Sequence, residues 1–84
     1  MPDSPELAGQ KLLDMLPDGC ELRTSVTDIG DGWKATAQVI NPHDTPKPVY
    51  VGRGPTGEAA LLRAIEACAS YWDSRLNNQG HNGR

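Results

Sequence analysis

Leu61, Ile65, Cys68, Trp72 and Leu76 follow one another at intervals of four, three, four and four residues, a spacing that an α-helix brings onto one face. Ala60, Ala64, Ala67 and Tyr71 widen this apolar stripe, and the intervening positions are held mostly by strong helix formers. Thr56 stands where a side-chain oxygen accepts an orphan backbone N–H, and Glu58 lies in the first turn, where its charge complements the helix dipole. The pattern predicts a helix over 57–76 with a broad apolar face that another layer must cover. In a chain of 84 residues, that layer has to come from nearly everything else.

The residues upstream read as a sheet. From Cys20 the chain alternates, with Cys20, Leu22, Thr24 and Val26 on one face and Glu21, Arg23, Ser25 and Thr27 on the other. Asp28-Ile29-Gly30-Asp31-Gly32 is rich in residues that tolerate positive φ, and beyond it Trp33, Ala35, Ala37 and Val39 share a face opposite Lys34, Thr36 and Gln38. Together they predict an antiparallel hairpin, and the small Ala35 and Ala37 suggest that a helix lies close over that face. Residues 41–48 carry three prolines and form a stiff, exposed loop rather than a central strand. Val49-Tyr50-Val51 is a short third strand, ended by Gly52-Arg53-Gly54-Pro55. At the start of the chain, Ser4-Pro5-Glu6 opens a helix, Ala8, Leu12, Met15 and Leu16 form its stripe, and Pro17-Asp18-Gly19 stops it, giving a helix over 5–16. Residues 77–84 hold no apolar side chain and are expected to be a disordered tail, leaving 1–76 as a single domain.

The element order is helix, strand, strand, strand, helix. It predicts an α+β fold in which both helices pack on one face of a three-stranded antiparallel sheet. Helices on opposite faces would need strands apolar on both sides, and only 49–51 offers such a run. In the two-layer form Leu61, Ile65, Cys68 and Trp72 are expected to bury against Leu22, Val26, Trp33, Ala35, Ala37 and Val39.

Composition narrows the function. With 37% hydrophobic residues and no Phe, the core is thin, and a deep substrate cavity would remove volume the domain needs. No apolar run is long enough to span a bilayer and the first residues lack a secretory signal, so a cytoplasmic protein without membrane contact is expected. Cys20 and Cys68 lie far apart without a Cys or His partner nearby, and are expected to be free, buried thiols rather than metal ligands. Asp28 and Asp31 fall short of a calcium loop, and read as turn chemistry. Gly52 to Gly57 approaches a phosphate-cradling loop but lacks the Lys-Ser/Thr ending, and reads instead as a strand-to-helix turn whose glycines permit tight packing. His43-Asp44 has the residue types of a base and its orienter, with no nucleophile to activate. No catalytic, cofactor-binding or metal residue is assigned, and the chain is expected to be non-enzymatic.

Charge is unevenly spread. Residues 1–31 hold seven acids against two bases, whereas 32–84 hold six bases against four acids, within a net charge of −3. An acidic chain disfavours nucleic acid and suits a protein partner. The sheet face away from the helices is polar and Thr-rich, and Arg23, Lys34, Thr36 and Gln38 are its candidate partner-binding residues. Tyr71 lies at the edge of the last helix's stripe and is a fifth candidate, in a position to reach a neighbouring subunit; the small core leaves room for a homodimer.

Two families resemble this chain. The helix-strand-strand-strand-helix order, and the run Tyr50-Val51-Gly52-Arg53-Gly54-Pro55-Thr56-Gly57-Glu58-Ala59-Ala60, resemble the double-stranded-RNA-binding domain. That family clamps phosphates with lysines at the start of the last helix, where this chain has Gly57-Glu58-Ala59-Ala60. Trp33, Tyr50-Val51-Gly52 and Thr56-Gly57-Glu58-Ala59-Ala60-Leu61-Leu62-Arg63-Ala64 are similar to small phage and prophage proteins with the phage ABA sandwich domain. That resemblance implies phage origin and a non-enzymatic role, by analogy in binding a host or phage protein; the alternatives are a double-stranded-RNA-binding-like domain that binds nucleic acid, or a small structural or assembly component of a phage.

Overall fold

Residues 4–16, 18–42 and 48–81 are described in a computed structural model of the chain. The elements are α1 (Pro5–Asp14), β1 (Glu21–Asp28), β2 (Trp33–Ile40), β3 (Tyr50–Gly54) and α2 (Gly57–His81). The strands form one antiparallel sheet in the order β1-β2-β3, and both helices pack on the same face of it, an α+β fold. No helix among the described residues is long and apolar enough to cross a membrane.

The local chemistry follows the sequence closely at the helix starts. Ser4 Oγ accepts from Leu7 N at 3.2 Å with Pro5 behind it, and Thr56 Oγ1 accepts from Ala59 N at 3.1 Å. In the hairpin, Asp28 Oδ1 accepts from Gly30 N at 2.9 Å, and Gly30 has a φ of +95°, a conformation in which glycine avoids the Cβ clash. Asp28 thus spends a carboxylate oxygen on shaping the turn.

Packing is built on an unusually close approach. Gly52 faces α2, and a Cβ on it would stand 2.4 Å from both Ala60 O and Ala64 N. Its cross-strand neighbour is Ala35, and Ala35, Ala37, Ala60 and Ala64 have no exposed surface. The helix backbone rests on β3 and β2 over a floor of glycine and alanine. The larger core groups are Leu12, Leu16, Val39, Ile65, Cys68 and Trp72, all buried.

The register places Leu22, Thr24 and Val26 on the helix side, as their alternation requires, but burial stops short of them. Val26 is 41% exposed, Thr24 is exposed, and Leu22 and Trp33 are half-buried. The expectation that Val26 lies in the core is therefore corrected. Because α2 is seated on β3, most of its footprint falls on β3 and β2 and it touches β1 less, with Gly57 at its start beside Val26, while α1 reaches only the start of β1. There Gly9 faces Leu22 Cδ2, 3.3 Å from where a Cβ would stand, and lets α1 settle onto β1 and Ile65.

Three boundaries also differ from the sequence reading. α1 ends at Asp14, where Met15 N bonds back to Leu12 O. β3 runs over Tyr50–Gly54 rather than 49–51, because its two glycines are the residues that let the strand continue beneath the helix. α2 continues to His81 where a tail was expected from 77; Asn77, Asn78 and Gln79 lack apolar groups but have helix propensities only a few tenths of a kcal/mol below alanine or leucine, and no breaker precedes Gly80. The side chain of Leu76, residues 82–84 and the His43-Asp44 pair lie outside the described residues.

Two substitutions test the packing. Gly52→Ala forces a methyl against helix backbone and is expected to destabilise by roughly 1–3 kcal/mol or more in urea denaturation. Ile65→Ala leaves a cavity at a 3% exposed site and is expected to cost about 2–5 kcal/mol. A Gly52→Ala protein within about 0.5 kcal/mol of wild type would show that α2 stands away from β3.

Candidate interaction surface

The sheet face away from the helices is built by the odd residues of β1, the even residues of β2, and Val51 and Arg53 of β3. Its rows run Glu21 beside Ile40, Arg23 beside Gln38, Ser25 beside Thr36 and Val51, and Thr27 beside Lys34 and Arg53. Ser25 Oγ and Thr36 Oγ1 are 2.6 Å apart, a hydroxyl pair that fixes the middle row. Neither helix covers this face, and Val51 at 50% and Val49 at 52% exposure give it an apolar margin along β3.

Four of the five candidate residues, Arg23, Lys34, Thr36 and Gln38, are brought together on this face. Tyr71 is not with them. Its ring centroid lies 5.7 Å from that of Tyr50, which is on the helix side opposite Ala37, and its hydroxyl accepts from Arg75 Nη1 at 2.9 Å. Arg75 also lies over the Trp72 ring, 5.8 Å from its centroid. Tyr71 is half-buried in its own chain, in an aromatic cluster that joins α2 to β3.

The residue that sequence reasoning missed is Arg53. In sequence it looks like part of a glycine turn after the strand, whereas it lies within β3 directly opposite Lys34. The signal was the alternation itself: continued by two residues from Val51, it puts Arg53 on the open face and Gly52 and Gly54 beneath the helix. Neither the Lys34 nor the Arg53 side chain has a hydrogen bond or ion pair among the described residues. Arg53 also borders a cleft of about 430 Å³ at the end of the sheet, with Ile29, Asp31, Trp33 and Arg63. Arg63 Nη1 donates to the backbone carbonyl of Arg53 across its wall. The glycine turn thus serves packing and this wall, with Asp31 present where a phosphate loop would want a cation.

The thiols are free, Cys68 fully buried and Cys20 half-buried. Burial pushes the Cys68 thiol above its ordinary value, with a backbone hydrogen bond from Val39 pulling the other way. The Tyr50 phenol is also raised, first by burial and then by the neighbouring Tyr71 and Cys68. Among the described residues no group of three or more His, Cys, Asp and Glu is placed to hold a metal ion.

No family model matches the chain, and neither a curated protein nor a solved structure is significantly similar to it.

Both shifts favour the neutral form in the folded state. That contribution is fully present below the unfolded-state pKa values and is lost as pH rises through the folded ones, so the urea midpoint is expected to fall in the alkaline range. In the native protein a thiol reagent is expected to label Cys20 first and Cys68 only on unfolding. Equal labelling rates for the two would contradict the packing of Cys68 against β2.

Proposed function

We propose that the chain is a non-enzymatic interaction domain that binds a protein partner across the open sheet face, and that the partner presents an acidic segment there. The observation that carries this reading is the Lys34–Arg53 pair. Like charges directly opposite one another on neighbouring strands are unfavourable within the monomer, and among the described residues neither side chain makes an ion pair. An anionic group laid across the two converts that repulsion into attraction. Arg23 adds a third positive charge, and Glu21 is the one acid among the described residues of the face. Thr27, Thr36 and Gln38 supply polar contacts, while Val49 and Val51 offer apolar ones.

A nucleic acid fits this face poorly. Its described residues include no aromatic ring on which bases stack, since Trp33 and Tyr50 belong to the helix side. The start of α2 carries Glu58 rather than a lysine cluster, and the net charge of −3 opposes a polyanion at long range. The resemblance to small phage and prophage proteins supplies a setting, in which the partner is a host or phage protein.

Isotope-labelled protein titrated with a peptide of alternating Glu and Val is expected to shift the amides of Arg23, Lys34, Thr36, Gln38 and Arg53 while leaving those of α1 unmoved. Lys34→Glu combined with Arg53→Glu is expected to weaken the interaction at least about tenfold. Shifts spread over α1 and the start of α2, or tighter and steeply salt-dependent binding to a short duplex RNA, would overturn the reading.

A further inference from the structure

We infer that β1 is a pairing edge and that its occupant is a second copy of this chain, joined antiparallel about Thr24 to make one six-stranded sheet. This stands apart from what the open face binds.

The two edges of the sheet are treated differently. β3 is five residues long, lies between Pro48 and Pro55, and has the Arg53 carbonyl covered by the Arg63 guanidinium, with the backbone of α2 pressed against Gly52. Short length, flanking proline and cover are the usual means by which a sheet edge is blunted. Among the described residues β1 has none of them. It is eight residues long, pairs with β2 in an unbroken register from Glu21 to Asp28, and contains neither proline nor lysine. Every residue but Leu22 is exposed. The backbone groups along its outer side meet no other strand among the described residues, and such groups are a ready template for another chain.

The helix-side face of this edge is also unfinished. Val26 meets only the first residue of α2, Gly57, and is still 41% exposed, because α2 runs from there over β2 and β3. A strand added at this edge would bring side chains up beside Val26 and Thr24 on the same face.

The β1 sequence fits itself in that role. With the two-fold axis at Thr24, Leu22 lies opposite the partner's Val26 and Val26 opposite the partner's Leu22, so each copy covers the apolar group the other leaves bare. Arg23 lies opposite the partner's Ser25 and Glu21 opposite the partner's Thr27. No like charges face one another directly, and the two Arg23 side chains meet only diagonally on the solvent side. Parity is kept, so helix-side residues meet helix-side residues. Centring the axis on Arg23 would set that residue against itself, and centring it on Ser25 would set Leu22 against Asp28. The pairing lays the two open faces side by side, and it leaves Tyr71 with Tyr50 and Arg75 in its own chain.

Light scattering at micromolar concentration tests the association. A mass of twice the 9.0 kDa chain is expected for wild type. Val26→Lys, at an exposed site, is expected to keep the circular dichroism of the fold while raising the dimer dissociation constant at least about tenfold. In a Cys20→Ser background, Thr24→Cys is expected to oxidise to a disulfide-linked dimer, because opposed residues of an antiparallel pair lie within disulfide reach. Lys34→Glu with Arg53→Glu is expected to stay dimeric, which separates this inference from the reading of the open face. A wild-type mass of 9.0 kDa, a dimer indifferent to Val26→Lys, or a dimer that Thr24→Cys does not cross-link would overturn it.

Discussion

At Gly52 the backbone of α2 comes so near β3 that no side chain fits between them, and the rest of the molecule is arranged around that contact. Ala60 O and Ala64 N stand where a Cβ of residue 52 would have to go, and Ala59 crowds Gly54 in the same way. A helix held this low can be accommodated only over small residues, which is why the neighbouring β2 positions are Ala35 and Ala37. Since the point of contact is on an edge strand, the helix lies over one side of the sheet. The part above β1 is covered thinly, by α1 through Gly9 near Leu22 and by the start of α2 through Gly57 near Val26.

That arrangement divides stability from accessibility. Glycine and alanine contribute little apolar area, so the hydrophobic stabilisation comes from a few larger groups, Leu12, Leu16, Val39, Ile65, Cys68 and Trp72, together with the Tyr50–Tyr71–Trp72 cluster. A domain of this size has little surplus, and apolar surface left bare, as at Val26, is surface on which a second chain gains contact. The two helices occupy one face, so neither covers the other, on which Lys34 and Arg53 stand side by side. We propose binding roles for that face and for the β1 edge; both features follow from where the helices sit.

Much of the fold was legible because local signals agreed with one another. The β2 alternation gave its limits to the residue, Ser4 and Thr56 marked both helix starts, and Ala35 and Ala37 announced a close helix. Val26 was misjudged because periodicity assigns a residue to a face but says nothing of how far a covering layer extends. Gly52 and Gly54 look like punctuation after a strand, because a glycine facing a helix backbone looks the same in sequence as one ending a strand. Arg53 was lost with them. Gly9 was silent for the same reason, since a glycine within a helix signals close approach only once its neighbour is known. Of the candidate surface residues, Arg23, Lys34, Thr36 and Gln38 followed from parity alone, while Tyr71 was placed by a helical angle that could not reveal Tyr50 and Arg75 beside it.

The most direct test is a nuclear Overhauser measurement at Gly52. With α2 seated on β3, the Gly52 Hα protons are expected to give strong cross-peaks to the amide of Ala64 and to Ala60. Absence of those cross-peaks, with Val26 and Thr24 instead showing contacts along the length of α2, would place the helix over β1 and contradict the arrangement described.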